Sequence, residues 1–285
     1  MRSWKLLVAS LSIFLGLGAG APAQAKTERS RVVQRALRQS VRVEVMVSGK
    51  VARAASGVVV ATEGKTSYVL TNAHVVQRDG LKGPASFDVV IERPLLHRLR
   101  ARVVHEGKVP DEDLALLAVE GEALSAVAIA GEEEVDVGDD VVVIGAPYGR
   151  SLSVSSGIVS QLVLDEQDAR VQRAMKTDAP IGYGASGGGV FEVPSGRLVG
   201  LVEGYRTAKV NFGGIANDDF SFDVPMPGET FLAPPTKIRN FILRAGLGKL
   251  AGLRESAGTA LAASTARSAP TSAAAPRRAR PLRRF

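Results

Sequence analysis

A dozen short runs of Val, Ile and Leu, cut off from one another by Gly, Pro, Asp or Ser, constrain this chain more than any other feature. In order they are VRVEVMV, SGVVVAT, SYVLTNA, FDVVIE, LRARVVHE, LALLAVE, AVAIAG, VVVIGA, SVSSGIVSQLVL, GVFEV, RLVGLVEG and FSFDVPM. Several alternate with period two, as in Val41-Arg42-Val43-Glu44-Val45, which puts apolar side chains on one face of a strand. A parallel sheet would need long helices between the strands, and the sequence has none there. The runs therefore predict an all-β barrel or sandwich. Two helices are expected at its ends. Thr27 to Gln39 carries Val32, Val33, Ala36 and Leu37 at helical spacing. Thr236 to Leu247 carries Ile238, Phe241, Ile242 and Ala245 on one face, with Gly246 as a stop.

Three further features set the chain's surroundings. Arg2 and Lys5, the apolar run Leu6 to Gly18, and Ala23-Gln24-Ala25 read as an export leader, 1–25, with cleavage expected after Ala25. An uncleaved anchor is the alternative, although the run is shorter than the roughly 20 residues that span a bilayer. Export points to a bacterial periplasm or beyond. The chain has no cysteine, which removes disulfides, thiolate metal sites and cysteine nucleophiles together. The net charge of +7 lies at the two ends: the leader carries two of these charges and residues 251–285 carry six, which leaves the body, 26–250, at −1. The last 35 residues are Ala, Ser, Thr, Pro and Arg, so a disordered basic tail is expected. Its run Arg277-Arg278-Ala279-Arg280-Pro281-Leu282-Arg283-Arg284 offers at most a weak contact with anionic lipid, polysaccharide or nucleic acid; a solvated tail is the favoured reading. No H-E-x-x-H, histidine cluster or P-loop pattern is present, so no metal and no cofactor are expected.

The stretch Thr177 to Phe191, TDAPIGYGASGGGVF, sets five glycines and Ser186 within a short loop. A serine hydroxyl is a weak nucleophile that needs an imidazole to take its proton, a carboxylate to orient the imidazole, and N–H donors for the oxyanion. The three histidines, His74, His97 and His105, all precede Ser186. That order excludes an α/β-hydrolase, in which His follows Ser. No aspartate precedes His74, which removes the Asp-His-Ser order for that residue and leaves His-Asp-Ser open. His74 has the best context, at the end of the apolar run Ser67 to Ala73. His97 and His105 are read as surface or structural. Asp113 abuts the apolar run Leu114-Ala115-Leu116-Leu117 and is the preferred acid; taken alone, Asp111-Glu112-Asp113 also fits an acidic turn.

Thr71-Asn72-Ala73-His74-Val75-Val76, Asp113-Leu114-Ala115-Leu116-Leu117 and Thr177-Asp178-Ala179-Pro180-Ile181-Gly182-Tyr183-Gly184-Ala185-Ser186-Gly187-Gly188 together resemble the chymotrypsin-like serine peptidases, and most of all their HtrA branch. The resemblance covers about residues 38 to 246 and rests on three blocks in the right order. It implies two six-stranded antiparallel barrels, divided at about residues 120–135, with His74 and Asp113 from the first and Ser186 from the second. It makes His74 the general base, Asp113 its orienting acid and Ser186 the nucleophile. It puts the oxyanion hole at backbone N–H groups of Gly184, Ala185 and Ser186, and the substrate pocket wall at Val202, Glu203 and Gly204. The wall's apolar residues favour a small or medium apolar substrate side chain, the preferred reading, whereas Glu203 would favour a basic one. The implied partners are polypeptides, and the branch often trimerises, so a homo-oligomer belongs to the expectation. Some residues depart from the family pattern. Ala185 stands where Asn is usual, Gly182-Tyr183 replace Asn-Pro, and Gly189 replaces Pro. A PDZ domain of about 90 residues usually follows; here only the basic tail follows, so PDZ-regulated activation is expected to be absent. A catalytically latent, protease-like protein that binds peptides or unfolded chains is the second functional reading.

Overall fold

The computed structural model describes residues 27–168, 171–212 and 220–253. The expected leader cleavage site and most of the expected basic tail lie outside them. Strands β1 (Ser40–Val47), β2 (Lys50–Glu63), β3 (Thr66–Thr71), β4 (Ala85–Ile91), β5 (His97–Glu106) and β6 (Ala115–Glu120) close into one barrel in the order β1-β2-β3-β6-β5-β4. Strands β7 (Asp140–Gly145), β8 (Ser153–Leu164), β9 (Gln172–Thr177), β10 (Gly189–Glu192), β11 (Leu198–Phe212) and β12 (Phe220–Ala233) close into a second, in the order β10-β11-β12-β9-β8-β7. All neighbouring strands are antiparallel, from the β1–β4 closure of the first barrel to the β10–β7 closure of the second. The chain is thus all-β with two antiparallel six-stranded barrels, of the chymotrypsin-like type. Helices α1 (Glu28–Gln39), α2 (Ala73–Val76) and α3 (Pro235–Arg244) complete the described elements longer than a single 3-10 turn.

The pattern of apolar residues follows from three separate cores. Val41, Val43 and Val45 of β1 point into the first barrel with Ala115, Leu117 and Val119 of β6. Val141, Val143, Val190, Val199 and Val202 fill the second barrel. A third layer lies between the barrels and holds Leu70, Leu114, Leu116, Ile144, Phe191, Leu198 and Leu201, together with Ala36 and Leu37 of α1 and Ile238 and Phe241 of α3. Strand β6 is buried on both faces, one turned into its barrel and one against the layer between barrels. That is why it reads as a continuous apolar run and not as an alternation.

Two elements differ from the sequence reading. The run AVAIAG, expected to be a strand, belongs to the connection between the barrels; only an isolated bridge, Ile129 to Leu198, forms there. Val127, Ile129 and Ala130 are buried because the connection lies over both barrels, with Val127 N–H donating to Val59 O and Ala130 N–H to Leu198 O. Strand β9, QRAMKT, was not expected, because only Met175 supplies a large apolar side chain to the core. The Gln172 side chain is buried all the same, and its amide donates to Glu132 O at 2.8 Å. In α1, Thr27 caps the helix by accepting from Ser30 N–H at 3.2 Å, as the sequence TERS suggests. The expected C-terminal helix is shorter than read and ends at Arg244.

Candidate active site

Strand β3 ends at Thr71, and the chain turns at once into the single helical turn α2, which carries His74. A four-residue helix has no intrinsic stability, so its carbonyls are held from outside. The Arg53 guanidinium, reaching over from β2, donates to His74 O and to Gln77 O, each at 3.0 Å. This cation at the end of the turn fixes the backbone of the histidine. The ring remains partly exposed, with 38% of the side-chain surface accessible.

Asp113 lies just ahead of β6. Its carboxylate uses both oxygens on His74: Oδ2 lies 2.6 Å from Nδ1, and Oδ1 accepts the backbone N–H of His74 at 2.8 Å. The Asn72 amide donates to Asp113 O at 2.8 Å, closing the contact from the other side. Burial pushes the Asp113 carboxyl up. The hydrogen bonds from the His74 ring and backbone, with the charges of His74 and Lys237, outweigh burial and hold it below the ordinary carboxylate range. An ionised Asp113 in this position selects the tautomer of His74 that carries its proton on Nδ1 and turns an unprotonated Nε2 outward.

Ser186 comes from the loop before β10 in the second barrel. The loop is docked against the end of β3: Ser56 N–H donates to Ser186 O at 2.8 Å, and Thr71 Oγ1 donates to Ser56 O at 2.8 Å. Gly187, with φ +77, sits against this pair, and a Cβ there would lie 2.5 Å from Thr71 Oγ1 and overlap Ser56 O. Only glycine permits both the backbone angle and the approach. Among the described residues, Ser186 Oγ makes no hydrogen bond to His74 Nε2, an open geometry common in unliganded catalytic sites.

The peptide groups around Ser186 are fixed through their carbonyls. Tyr183 O accepts from Tyr148 N–H at 2.5 Å, Gly184 O accepts from Ser56 Oγ at 2.8 Å, and Ala185 O accepts from Gly188 N–H at 2.8 Å. The N–H groups of Ala185 and Gly187 are engaged as well, with Gly182 O at 3.1 Å and Val202 O at 2.9 Å. Among the described residues, the N–H groups of Gly184 and Ser186 make no such bond. Both are therefore free to donate to an incoming oxygen. The Ala185 N–H, expected as a third donor, is engaged with Gly182 O in this structure.

Of the expected pocket wall, the Val202 side chain is fully buried in the second barrel core. Its N–H and C=O instead pair with Gly188 O and Gly187 N–H, which aligns β11 with the Ser186 loop. The Glu203 carboxylate is taken by Lys237 of α3, with Nζ and Oε1 2.5 Å apart, so it presents no free charge for a basic substrate side chain. Gly204 leaves open space where a Cβ would project. Tyr183 stands exposed beside the loop, with Tyr148 at 6.4 Å and Tyr205 at 5.6 Å between ring centroids. Behind the loop lies a mostly apolar cavity of about 260 Å³, lined among others by Val143, Pro147, Ile181 and Ala185.

The other histidines lie elsewhere. His97 Nε2 is 2.6 Å from Glu122, and Leu95 O and that carboxylate raise its pKa above the ordinary value. His105 stacks on Phe241 at 4.8 Å between centroids. Asp178 accepts the N–H of Ile158 at 2.7 Å and so braces β8. Among the described residues, no group of three or more His, Asp and Glu could hold a metal ion. From the sequence alone, Ser56, Arg53 and Lys237 had no role at the site. A hydroxyl before Gly57 at the head of a Val run was the only available hint of the first.

A family model described as the trypsin-like peptidase domain matches residues 55–201. A probable periplasmic serine endoprotease DegP-like of Ectopseudomonas mendocina (strain ymp) is 33% identical over 193 residues, which is 68% of this chain and 37% of that protein. Its counterpart in Pseudomonas putida (strain GB-1) is 34% identical over 171 residues, 60% of this chain and 32% of that protein. The chain thus spans about a third of the length of the curated relatives it matches. Among solved structures, the serine endoprotease from Yersinia pestis superposes with a TM-score of 0.56 at 23% identity, covering 78% of this chain and 68% of that one. An HtrA-type protease solved with a tripeptide superposes with a TM-score of 0.57 at 22% identity, covering 76% and 62%. Both likenesses speak to the fold. With the family match extending over both barrels, the chain belongs to the trypsin-like peptidase domain family, and its relatives there are HtrA- and DegP-like proteins.

Proposed function

We propose that this protein is an exported serine endopeptidase that hydrolyses peptide bonds of polypeptide substrates, in protein quality control or processing. The observation that carries the reading is the two-oxygen grip of Asp113 on His74, combined with a loop around Ser186 in which the N–H groups of Gly184 and Ser186 are unengaged among the described residues. Ser186 Oγ attacks the scissile carbonyl carbon while His74 Nε2 takes its proton. The carbonyl oxygen becomes an oxyanion held by the N–H groups of Gly184 and Ser186. Collapse of the tetrahedral adduct expels the amine, which leaves with the proton held on His74, and an acyl ester remains on Ser186. Water, deprotonated by His74, then attacks the ester and releases the acid. No cofactor enters any step.

A small or medium apolar side chain next to the scissile bond fits better than a basic one, since Lys237 already neutralises Glu203. Export rests on the leader sequence and agrees with relatives named as periplasmic. Among the described residues no helix is long and apolar enough to cross a membrane. Assembly into homo-oligomers and a weak polyanion contact through the Arg-rich tail belong to the same proposal. The second reading, a latent protein that binds peptides without turnover, draws on the missing hydrogen bond between Ser186 and His74.

Intact mass after exposure to diisopropyl fluorophosphate separates the two. One diisopropylphosphoryl adduct on wild type, with fluoride expelled, and none on Ser186→Ala is expected. A well-folded wild type that stays unmodified would refute the active reading and leave the latent one.

A further inference from the structure

We propose that the Ser56 hydroxyl is a positioning residue for the oxyanion hole, holding the Gly184 peptide from the opposite barrel. The inference rests on the reading of Ser186 as nucleophile. Ser56 lies in β2 of the first barrel, fully buried, and 128 residues separate it from Gly184. Its Oγ accepts the N–H of Ala146 at 2.9 Å. The single hydroxyl proton then goes to Gly184 O at 2.8 Å. The same residue donates its backbone N–H to Ser186 O at 2.8 Å. One side chain and its own backbone thus hold the carbonyls on both sides of Ala185.

The consequence follows from peptide planarity. Gly184 stands between two peptide groups. Tyr148 N–H holds the carbonyl of the one before it, and Ser56 Oγ holds the carbonyl of the one after it. With both planes fixed at a φ of +86, the N–H of Gly184 has one direction. Glycine itself offers little resistance to rotation about φ and ψ. If the Ser56 hydroxyl is removed, the Gly184–Ala185 peptide, which joins the two donor residues, loses its side-chain anchor; ψ of Gly184 is released, and the Tyr183–Gly184 peptide that carries the Gly184 N–H is no longer held at a fixed angle to the Ser186 N–H. Neither the nucleophile nor the base is touched.

The test is Ser56→Ala with Ser67→Ala as a matched control. Ser67 is equally buried, and its Oγ likewise donates to one carbonyl, Glu122 O at 2.9 Å, and accepts one N–H, from Leu124 at 2.8 Å. It lies on β3, away from the loop. Loss of one oxyanion donor typically lowers kcat by 10²–10³, so a donor that is present but unaimed should cost about 10–100-fold. For Ser56→Ala we expect that fall in kcat with KM unchanged, and a parallel loss of affinity for a peptide aldehyde, whose adduct carries the oxyanion. Affinity for the cleaved product acid should stay as in wild type. Ser67→Ala should lower Tm comparably and leave kcat in place. Equal kcat losses in the two variants, an unchanged kcat in Ser56→Ala, or a loss confined to KM would each overturn the proposal. A wild type inert to peptides and to the fluorophosphate would sink the function reading alone. The amide resonances of Gly184 and Ala185 then carry the test: a shift on Ser56→Ala supports the anchor, and unmoved resonances overturn it.

Discussion

Replacing Asp113 by Asn tests the geometry at its most specific point. Both carboxylate oxygens accept from the same residue, Oδ2 from the His74 ring at 2.6 Å and Oδ1 from the His74 backbone N–H at 2.8 Å. An amide has one acceptor and one donor end and cannot satisfy both. With its oxygen toward the backbone N–H, its NH₂ faces Nδ1 and stabilises the tautomer that is protonated on Nε2. That tautomer has no lone pair for the Ser186 proton. The reverse orientation sets NH₂ against the backbone N–H, which leaves two donors face to face in a partly buried site. The first orientation is therefore favoured, and the base is disabled without any change of shape. Such a change in a Ser-His-Asp triad costs about 10⁴ in kcat, or roughly 5.5 kcal/mol of transition-state stabilisation. The substitution leaves the Ser186 loop and β11 in place, so KM should move less than about threefold. The assay is steady-state hydrolysis of an apolar peptide ester and amide near neutral pH, with a thermal melt to show that the variant is folded. A folded Asp113→Asn enzyme that keeps kcat within tenfold of wild type would refute the tautomer argument.

Two further outcomes are expected. Gly187→Ala puts a methyl group onto Ser56 O and Thr71 Oγ1 at a φ of +77; hydrolysis should fall by at least about tenfold and Tm should drop, by a steric cost of order 1–3 kcal/mol, and a variant equal to wild type in both would contradict the tight docking of the loop. Two of the shifted groups, Asp113 and His97, act on stability in opposite directions with pH. Asp113, held below 3.8 despite its burial, supplies stability that is present above that value and is lost as the pH falls through its lower folded value. His97, raised above 6.5 by Leu95 O and Glu122, supplies a small, solvent-screened contribution that is full below 6.5 and fades as the pH rises through its folded value. An NMR titration of the His97 ring with a midpoint at or below 6.5, or acid unfolding of Asp113→Asn that matches wild type, would go against these assignments.

Much of the architecture was legible because strands with one buried face must alternate. Val41, Val43 and Val45 announce β1 in any context. Strand β9 was not legible, since QRAMKT buries Gln172 by hydrogen bonding and offers only Met175 to the core. AVAIAG misled for the opposite reason: its Val127 and Ile129 are buried by docking between the barrels and not by strand pairing. At the site, the histidine was legible from its place at the end of an apolar run, and the acid from its place at the mouth of another. The tight turn of the Ser186 loop was legible from glycines that only a forced backbone requires.

The chain's local pattern thus determined that it is built of strands, that His74, Asp113 and Ser186 occur in that order, and that the Ser186 loop is tightly turned. Those properties depend on neighbours within a few residues. Tertiary structure alone decided which N–H groups stay open, that Val202 turns inward, that Lys237 takes up the Glu203 charge, and that a serine in the first barrel holds a glycine carbonyl in the second. Those contacts depend on the register between two closed barrels, with partners such as Ser56 and Gly184 lying 128 positions apart. No periodicity carries a hydrogen bond of that span, because its geometry is set by how the two barrels pack and not by either segment alone.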